Sequence, residues 1–275
     1  MAYQTERPRP GRARARYAQN FFRDATAARR LVDAANLAGG DCVYDLGAGT
    51  GMITRELAAR NVRVVAVERD SNLAKRLRER FKDRDVTVVE QSLTDVRFET
   101  PFKVVSNIPF NLTAVTLKRL LLSEPAPQEA LIVLQLGAAM KYAGVPRETE
   151  VSLKAKPWFD LEVDQRFNRT DFVPVPGVDV GLLHARLRPA PLIDVSRRQD
   201  WRDFIGYAFG RYKPNLRLVL KPIFSNLQWK RLANDLGFDV EATPTELSFE
   251  DWLGLFAFFG QQVSPQRRAL VRSRS

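Results

Sequence analysis

Short apolar blocks alternate with helical stretches through the first two thirds of the chain. Residues 42–44, 62–67, 86–89, 102–105 and 131–136 read as strands. Residues 52–60, 71–81 and 113–122 read as helices between them, and Leu73, Leu77 and Phe81 share one face. A further helical pattern starts at Asp24 and runs through Ala27, Leu31 and Ala35. Such alternation implies a parallel sheet covered by helices on both faces. Residues 159–167 and 178–187 predict two more strands, an antiparallel pair at the sheet edge. After Pro189 and Pro191 the pattern is purely helical, in residues 201–209, 216–223, 227–236 and 249–259, with Thr245 and Ser248 as N-cap residues. The expected fold is an α/β domain with a mostly parallel seven-stranded sheet, followed by a small all-helical C-terminal domain.

Charge changes this picture at the ends. The net charge is +11 over 275 residues, which calls for a polyanionic partner. Eight arginines fall in the first 30 residues, against Glu6 and Asp24. Pro8, Pro10 and Gly11 argue against regular structure there. The expected domains are a disordered basic arm (1–15), an α/β domain (16–190), a helical domain (191–262) and a disordered basic tail (263–275). Arg12, Arg14 and Arg16, with Arg211, Lys213 and Arg217 in the helical part, are candidate phosphate contacts. Arg197, Arg198, Lys221, Lys230 and Arg231 extend the same set.

No apolar run reaches the roughly 20 residues that span a bilayer, so no membrane partner is expected. The single cysteine, Cys42, cannot form an internal disulfide, which fits a reducing cytoplasm. With one cysteine and one histidine, no Cys/His zinc site can be built, and no metal is expected. Cys42 lies in an apolar strand and His184 in another, so both read as structural.

Two motifs carry chemistry. Asp45-Leu46-Gly47-Ala48-Gly49-Thr50-Gly51 follows the first strand and opens a helix. Glycines let the backbone turn sharply and a ligand come close, and a helix N-terminus favours negative charge. Glu68 ends the next strand, 21 residues after Gly47, where a carboxylate can accept from ribose hydroxyls. Nicotinamide enzymes use a similarly spaced acid but a different glycine pattern. Ser106-Asn107-Ile108-Pro109-Phe110-Asn111 follows the fourth strand. The Asn107 side-chain carbonyl and the Ile108 carbonyl can accept from a planar amine. Pro109 stiffens the turn, and Phe110 offers a stacking face. Together the motifs predict methyl transfer to a nucleobase amine, by positioning and electrostatics rather than by a strong base.

These residues resemble the rRNA adenine-N6 methyltransferases, which include the erythromycin-resistance (Erm) enzymes acting on 23S rRNA and the small-subunit adenine dimethyltransferases. The likeness covers about residues 15–260 and implies a Rossmann-like class I methyltransferase fold using S-adenosylmethionine. Gln19-Asn20-Phe21-Phe22 is similar to the family's element that closes over the cofactor, which implies contacts from Gln19, Asn20 and Phe22. The resemblance places Asp45, Gly47, Ala48, Gly49, Gly51, Glu68, Ser92, Leu93 and Asn107 around the cofactor. It makes Asn107-Ile108-Pro109-Phe110 the catalytic motif and Phe172 a second aromatic against the base. The family's adenine-contacting Asp is replaced here by Ser92, with Asp95 nearby. The arm, Asn20, the Phe110 form of the motif and the stretch from Pro244 to Trp252 resemble actinomycete Erm enzymes more. That implies a monomer methylating one adenine of 23S rRNA, protein-free or in a partly assembled precursor, with macrolide, lincosamide and streptogramin B resistance as the outcome. The alternatives are a 16S rRNA dimethyltransferase, an RNA-binding factor without catalysis and a DNA adenine methyltransferase, the last lacking its usual second proline.

Overall fold

The computed structural model describes residues 20–211 and 213–272, without the side chains of residues 164–166. The arm at 1–15, Arg12, Arg14, Arg16 and Gln19 lie outside the described residues. The chain divides into two compact units, residues 1–139 with 162–187, and residues 140–161 with 188–275.

The first unit opens with β1 (Phe21–Phe22) and α1 (Ala25–Asp33), whose N-cap Asp24 accepts from Thr26 N–H. Then follow β2 (Cys42–Leu46), α2 (Met52–Ala58), β3 (Arg63–Glu68), α3 (Ser71–Arg80), β4 (Val86–Glu90), β5 (Lys103–Asn107), α4 (Thr113–Leu122) and β6 (Glu129–Gln135). α5 (Leu136–Ala143) and α6 (Glu150–Ala155) lead into β7 (Phe159–Phe167), β8 (Phe172–Val173) and β9 (Val180–Leu187). Seven strands form one sheet in the order β4-β3-β2-β5-β6-β9-β7. The β2–β6 ladders are parallel, and β9 runs antiparallel to β6. β1 and β8 make a separate two-stranded ribbon.

The strand order reverses between β2 and β5, where ligands of open α/β sheets bind. There the two strands pair only at Val43–Lys103 and Tyr44–Val104 and then splay. The freed N–H of Leu46 donates to the buried Ser106 hydroxyl at 2.7 Å instead. One side chain thus replaces a ladder bond and lets the strand ends part. His184 Nε2 meets Glu129 Oε1 at 2.7 Å, and Arg186 reaches His184 Nδ1 at 3.0 Å. The lone histidine is therefore a buried structural group, and Cys42 is likewise buried and free.

The second unit holds α7 (Arg198–Phe209), α8 (Leu216–Leu220), α9 (Asn226–Leu236), α10 (Phe249–Gln262) and α11 (Pro265–Arg268). Its core is aromatic: Trp201, Phe204, Trp252, Phe256 and Phe259 interlock. Three expectations need correction here. Residues 140–161 belong with this unit, because Trp201 Nε1 donates to the Leu153 carbonyl at 2.8 Å and α6 packs on α7. The stretch after 263 is not a disordered tail as far as 272: α11 and a following turn are formed, and Val271 is buried. Arg197 and Arg198 are not simply solvated cations: they lie over the rings of Phe256 and Trp158, at 4.3 and 4.8 Å, which ties them to the helices. Among the described residues no helix is long and apolar enough to cross a membrane.

Candidate active site

The site forms at the splayed ends of β2 and β5. Gly47, Gly49 and Gly51 take φ values of +78°, +56° and +79°, which only glycine adopts without strain. The loop is held from below, since Gly47 and Ala48 N–H donate to the Val67 carbonyl at 2.8 and 2.9 Å. Glu68, buried at the end of β3, accepts from Gly49 N–H at 2.9 Å and Asp70 N–H at 2.8 Å. Its carboxylate is thereby fixed beside the loop. Gly51 serves packing: a Cβ there would come within 2.5 Å of Leu77 Cδ2.

Asp45 is buried, and its Oδ2 accepts from the Thr54 hydroxyl at 2.7 Å. Its Oδ1 has no hydrogen-bond partner among the described residues. Burial pushes this carboxyl up to about 7 in spite of the Thr54 bonds. A buried acceptor without a donor is a place for a donor-bearing or cationic group.

Asn107, the last residue of β5, donates through Nδ2 to the Asn20 carbonyl at 2.7 Å. That bond fixes which way the amide faces and leaves Oδ1 as an acceptor. No turn or loop backbone bond among the described residues ends on the Ile108 carbonyl. Pro109 starts a short 3-10 turn, Phe110–Leu112, closed by Leu112 N–H on the Pro109 carbonyl at 2.8 Å. Phe110 is half-buried and packs against the core of the first unit.

Asn20, Phe22, Gly47, Ala48, Asn107, Ile108 and Pro109 line one pocket together with Phe21. Its cavity is about 30 Å³, space for a water or two rather than a nucleoside. The Phe21 ring lies against the glycine loop, since a Cβ on Gly49 would lie 2.6 Å from Phe21 Cε1. Asp45, Gly49, Gly51, Glu68, Ser92, Leu93 and Phe110 lie outside this lining, and the first four act from the loop or behind it.

Phe172 is not a base-stacking face here. It is fully buried, stacked on Phe22 at 5.1 Å and edge-on to Phe167 at 6.1 Å. Pairing of β8 with β1 turns it inward, and Val173 is the residue turned to solvent. Arg119 is a residue the sequence did not single out. From α4 it donates to the Leu93 carbonyl at 2.9 Å and to the Val96 carbonyl, which clips the loop after β4.

In the second unit, Arg211, Lys213 and Lys221 line an open groove with Leu218, Val219 and Pro222. Arg211 stacks on Tyr207 at 4.2 Å. Arg217 instead pairs with Glu241 at 3.0 Å, and Arg231 with Asp235 at 3.4 Å. No cluster of metal-ligating side chains occurs among the described residues.

A family model described as ribosomal RNA adenine dimethylase matches residues 11–261. The chain is 31% identical to the mycinamicin-resistance protein MyrB of Micromonospora griseorubida, over 93% of this chain and 83% of that one. It is 29% identical to the ribosomal RNA small subunit methyltransferase A of Acaryochloris marina, over 90% and 96%. The crystal structure of the 23S rRNA methyltransferase ErmE superposes with a TM-score of 0.81 at 28% identity, covering 88% of this chain and 100% of that one.

Proposed function

The chain belongs to the ribosomal RNA adenine dimethylase family, and we propose that it transfers a methyl group from S-adenosylmethionine to the N6 amine of one adenine in 23S rRNA. The observation that carries this reading is the orientation of Asn107. Its amide is pinned by Asn20, and its carbonyl oxygen remains for a substrate amine beside the glycine loop.

The residues present fit such a cofactor. Glu68 is a fixed carboxylate for ribose hydroxyls, the loop glycines permit close approach, and Asp45 Oδ1 awaits a donor. When bound, the cofactor supplies an electrophilic methyl carried on a sulfonium. The protein's part is placement. Asn107 Oδ1 and the Ile108 carbonyl accept the two N–H groups of the amine, which turns its lone pair toward the methyl group. Phe110 stacks on the base, worth about 1–3 kcal/mol. With the methyl donor bound, transfer would make one N–C bond for the S–C bond lost, and the nitrogen would release its proton to water. An adenine in folded RNA has to be extruded first.

The 23S branch, with macrolide-type resistance, is favoured by the likeness to MyrB and ErmE. The likeness to a small-subunit methyltransferase keeps 16S rRNA as the alternative. RNA contacts are assigned to Arg211, Lys213 and Lys221 and to the arm residues Arg12, Arg14 and Arg16, on a chain acting as a monomer. Labelled methyl transfer to protein-free 23S and 16S rRNA, followed by mass spectrometry of the modified fragment, tests the proposal. Label at one 23S adenine supports it, label confined to 16S moves the target to the other subunit, and no label on either with bound cofactor rejects catalysis.

A further inference from the structure

The loop after β4 contains a hydrogen-bonded chain of three side chains. Glu68 and Glu90 end β3 and β4 in register, and Ser92 stands two residues beyond. Adjacent strands lie about 5 Å apart, so a nucleoside whose ribose meets Glu68 brings its base over this turn. Glu90 itself is engaged elsewhere, by the Ser71 hydroxyl at 2.5 Å and Arg78 at 3.1 Å. Ser92 Oγ lies 2.8 Å from Thr94 Oγ1, and Thr94 Oγ1 lies 2.9 Å from Asp95 Oδ1. Thr94 N–H points back at Ser92 Oγ from 3.3 Å.

The direction of this chain follows from proton bookkeeping. A carboxylate only accepts, so the Thr94 hydroxyl hydrogen lies toward Asp95. Thr94 then has only lone pairs for its neighbour, so the Ser92 hydroxyl hydrogen lies toward Thr94. Ser92 Oγ keeps no hydrogen to offer outward. Of its two lone pairs, Thr94 N–H takes one, and the other remains. Bonds linked in this way polarise one another, so Ser92 is a stronger acceptor than an isolated serine. Arg119 steadies the loop through the Leu93 and Val96 carbonyls.

We propose that Thr94 and Asp95 are positioning residues that make Ser92 an obligatory acceptor, selecting the exocyclic amine of the cofactor's adenine against a base bearing a carbonyl there. This rests on the reading that a nucleoside cofactor lies across Glu68 and the turn after β4. A carboxylate two hydrogen bonds away thereby takes the place of one in direct contact.

Calorimetric titration of the full chain with S-adenosylhomocysteine and with S-inosylhomocysteine tests it. The two ligands differ in presenting an amine or a carbonyl to Ser92. The wild-type chain is expected to prefer the adenine ligand. In Thr94→Val, Ser92 is free to turn its hydrogen outward. Affinity for the adenine ligand should fall about 3- to 10-fold, while affinity for the inosine ligand stays or rises. Asp95→Asn, at an exposed position, should narrow the preference in the same direction because an amide can reverse the chain. Equal losses for both ligands in Thr94→Val, or an unchanged ratio in both variants, overturn the relay while leaving the cofactor reading intact. Failure of S-adenosylhomocysteine to bind the wild-type chain overturns the cofactor reading, and the relay with it.

Discussion

Asn107 Nδ2 donates to the main-chain carbonyl of Asn20 at 2.7 Å, across 87 positions of sequence. This bond joins the end of β5 to the segment that carries Phe21. It uses one of the two amide N–H groups and fixes the side of the turn that Oδ1, an acceptor, faces.

Asn107→Ala removes both the pin and the acceptor. Single-turnover methyl transfer to rRNA should drop on the order of 10²–10³-fold, as when one aligned polar group is lost from a site of charge development. Cofactor affinity should change far less. Wild-type rates in this variant would refute the role given to the residue.

Asp45 makes a prediction about pH. Its folded carboxyl is pushed up to about 7 by burial, from an ordinary 3.8. Below 3.8 both folded and unfolded forms are protonated and no penalty exists. As pH rises from about 4 to 7 the unfolded chain loses this proton first, so folding stability falls, by up to about 4 kcal/mol. Above 7 the loss is constant. Asp45→Asn should flatten this segment of the stability–pH curve in urea titrations. A slope identical to wild type would show that Asp45 titrates normally.

Phe110 and Phe172 should separate cleanly by experiment. Phe172 is packed on Phe22 and Phe167, so Phe172→Ala should cost about 3–5 kcal/mol of stability. Phe110→Ala should leave the fold largely intact but weaken productive RNA binding by about 1–3 kcal/mol. Denaturation paired with KM for rRNA reads both. The reverse pattern would restore Phe172 as the base-facing ring.

The groove of Arg211, Lys213 and Lys221 should contribute to salt-sensitive RNA binding. Replacing all three with Ala should reduce the slope of log affinity against log salt by about 2, given roughly 0.7 counterion per phosphate contact on single strands. Arg217→Ala should leave that slope alone and instead release Glu241. Filter binding across a salt series distinguishes them.

What the sequence made legible was local. Strands β2 to β6 stand out because apolar blocks punctuated by amphipathic helices have few other folds. The glycine loop and Asn107 motif stand out because unusual residues are crowded into short windows. Residue 172 was misread because a buried and a base-stacking phenylalanine look alike until β8 is seen pairing with β1, a register that no local pattern encodes. The stacking of Arg197 and Arg198 on Phe256 and Trp158 is not legible in the sequence, since it depends on distant residues. The part played by Arg119 is not legible in the sequence because its two carbonyl partners lie 23 and 26 positions away. Helices α5 and α6 have no counterpart in the pattern read from the sequence, as both are short and separated by Gly144 and Pro146.

The ring that crowds Gly49 sits on a ribbon only two residues long, with Arg30 tied to Asp171 at 2.6 Å beside it. So short a ribbon opens at small free-energy cost while the seven-stranded sheet stays intact. Substitutions in that ribbon are therefore a way to shift how Phe21 sits against the glycine loop without altering the seven-stranded sheet.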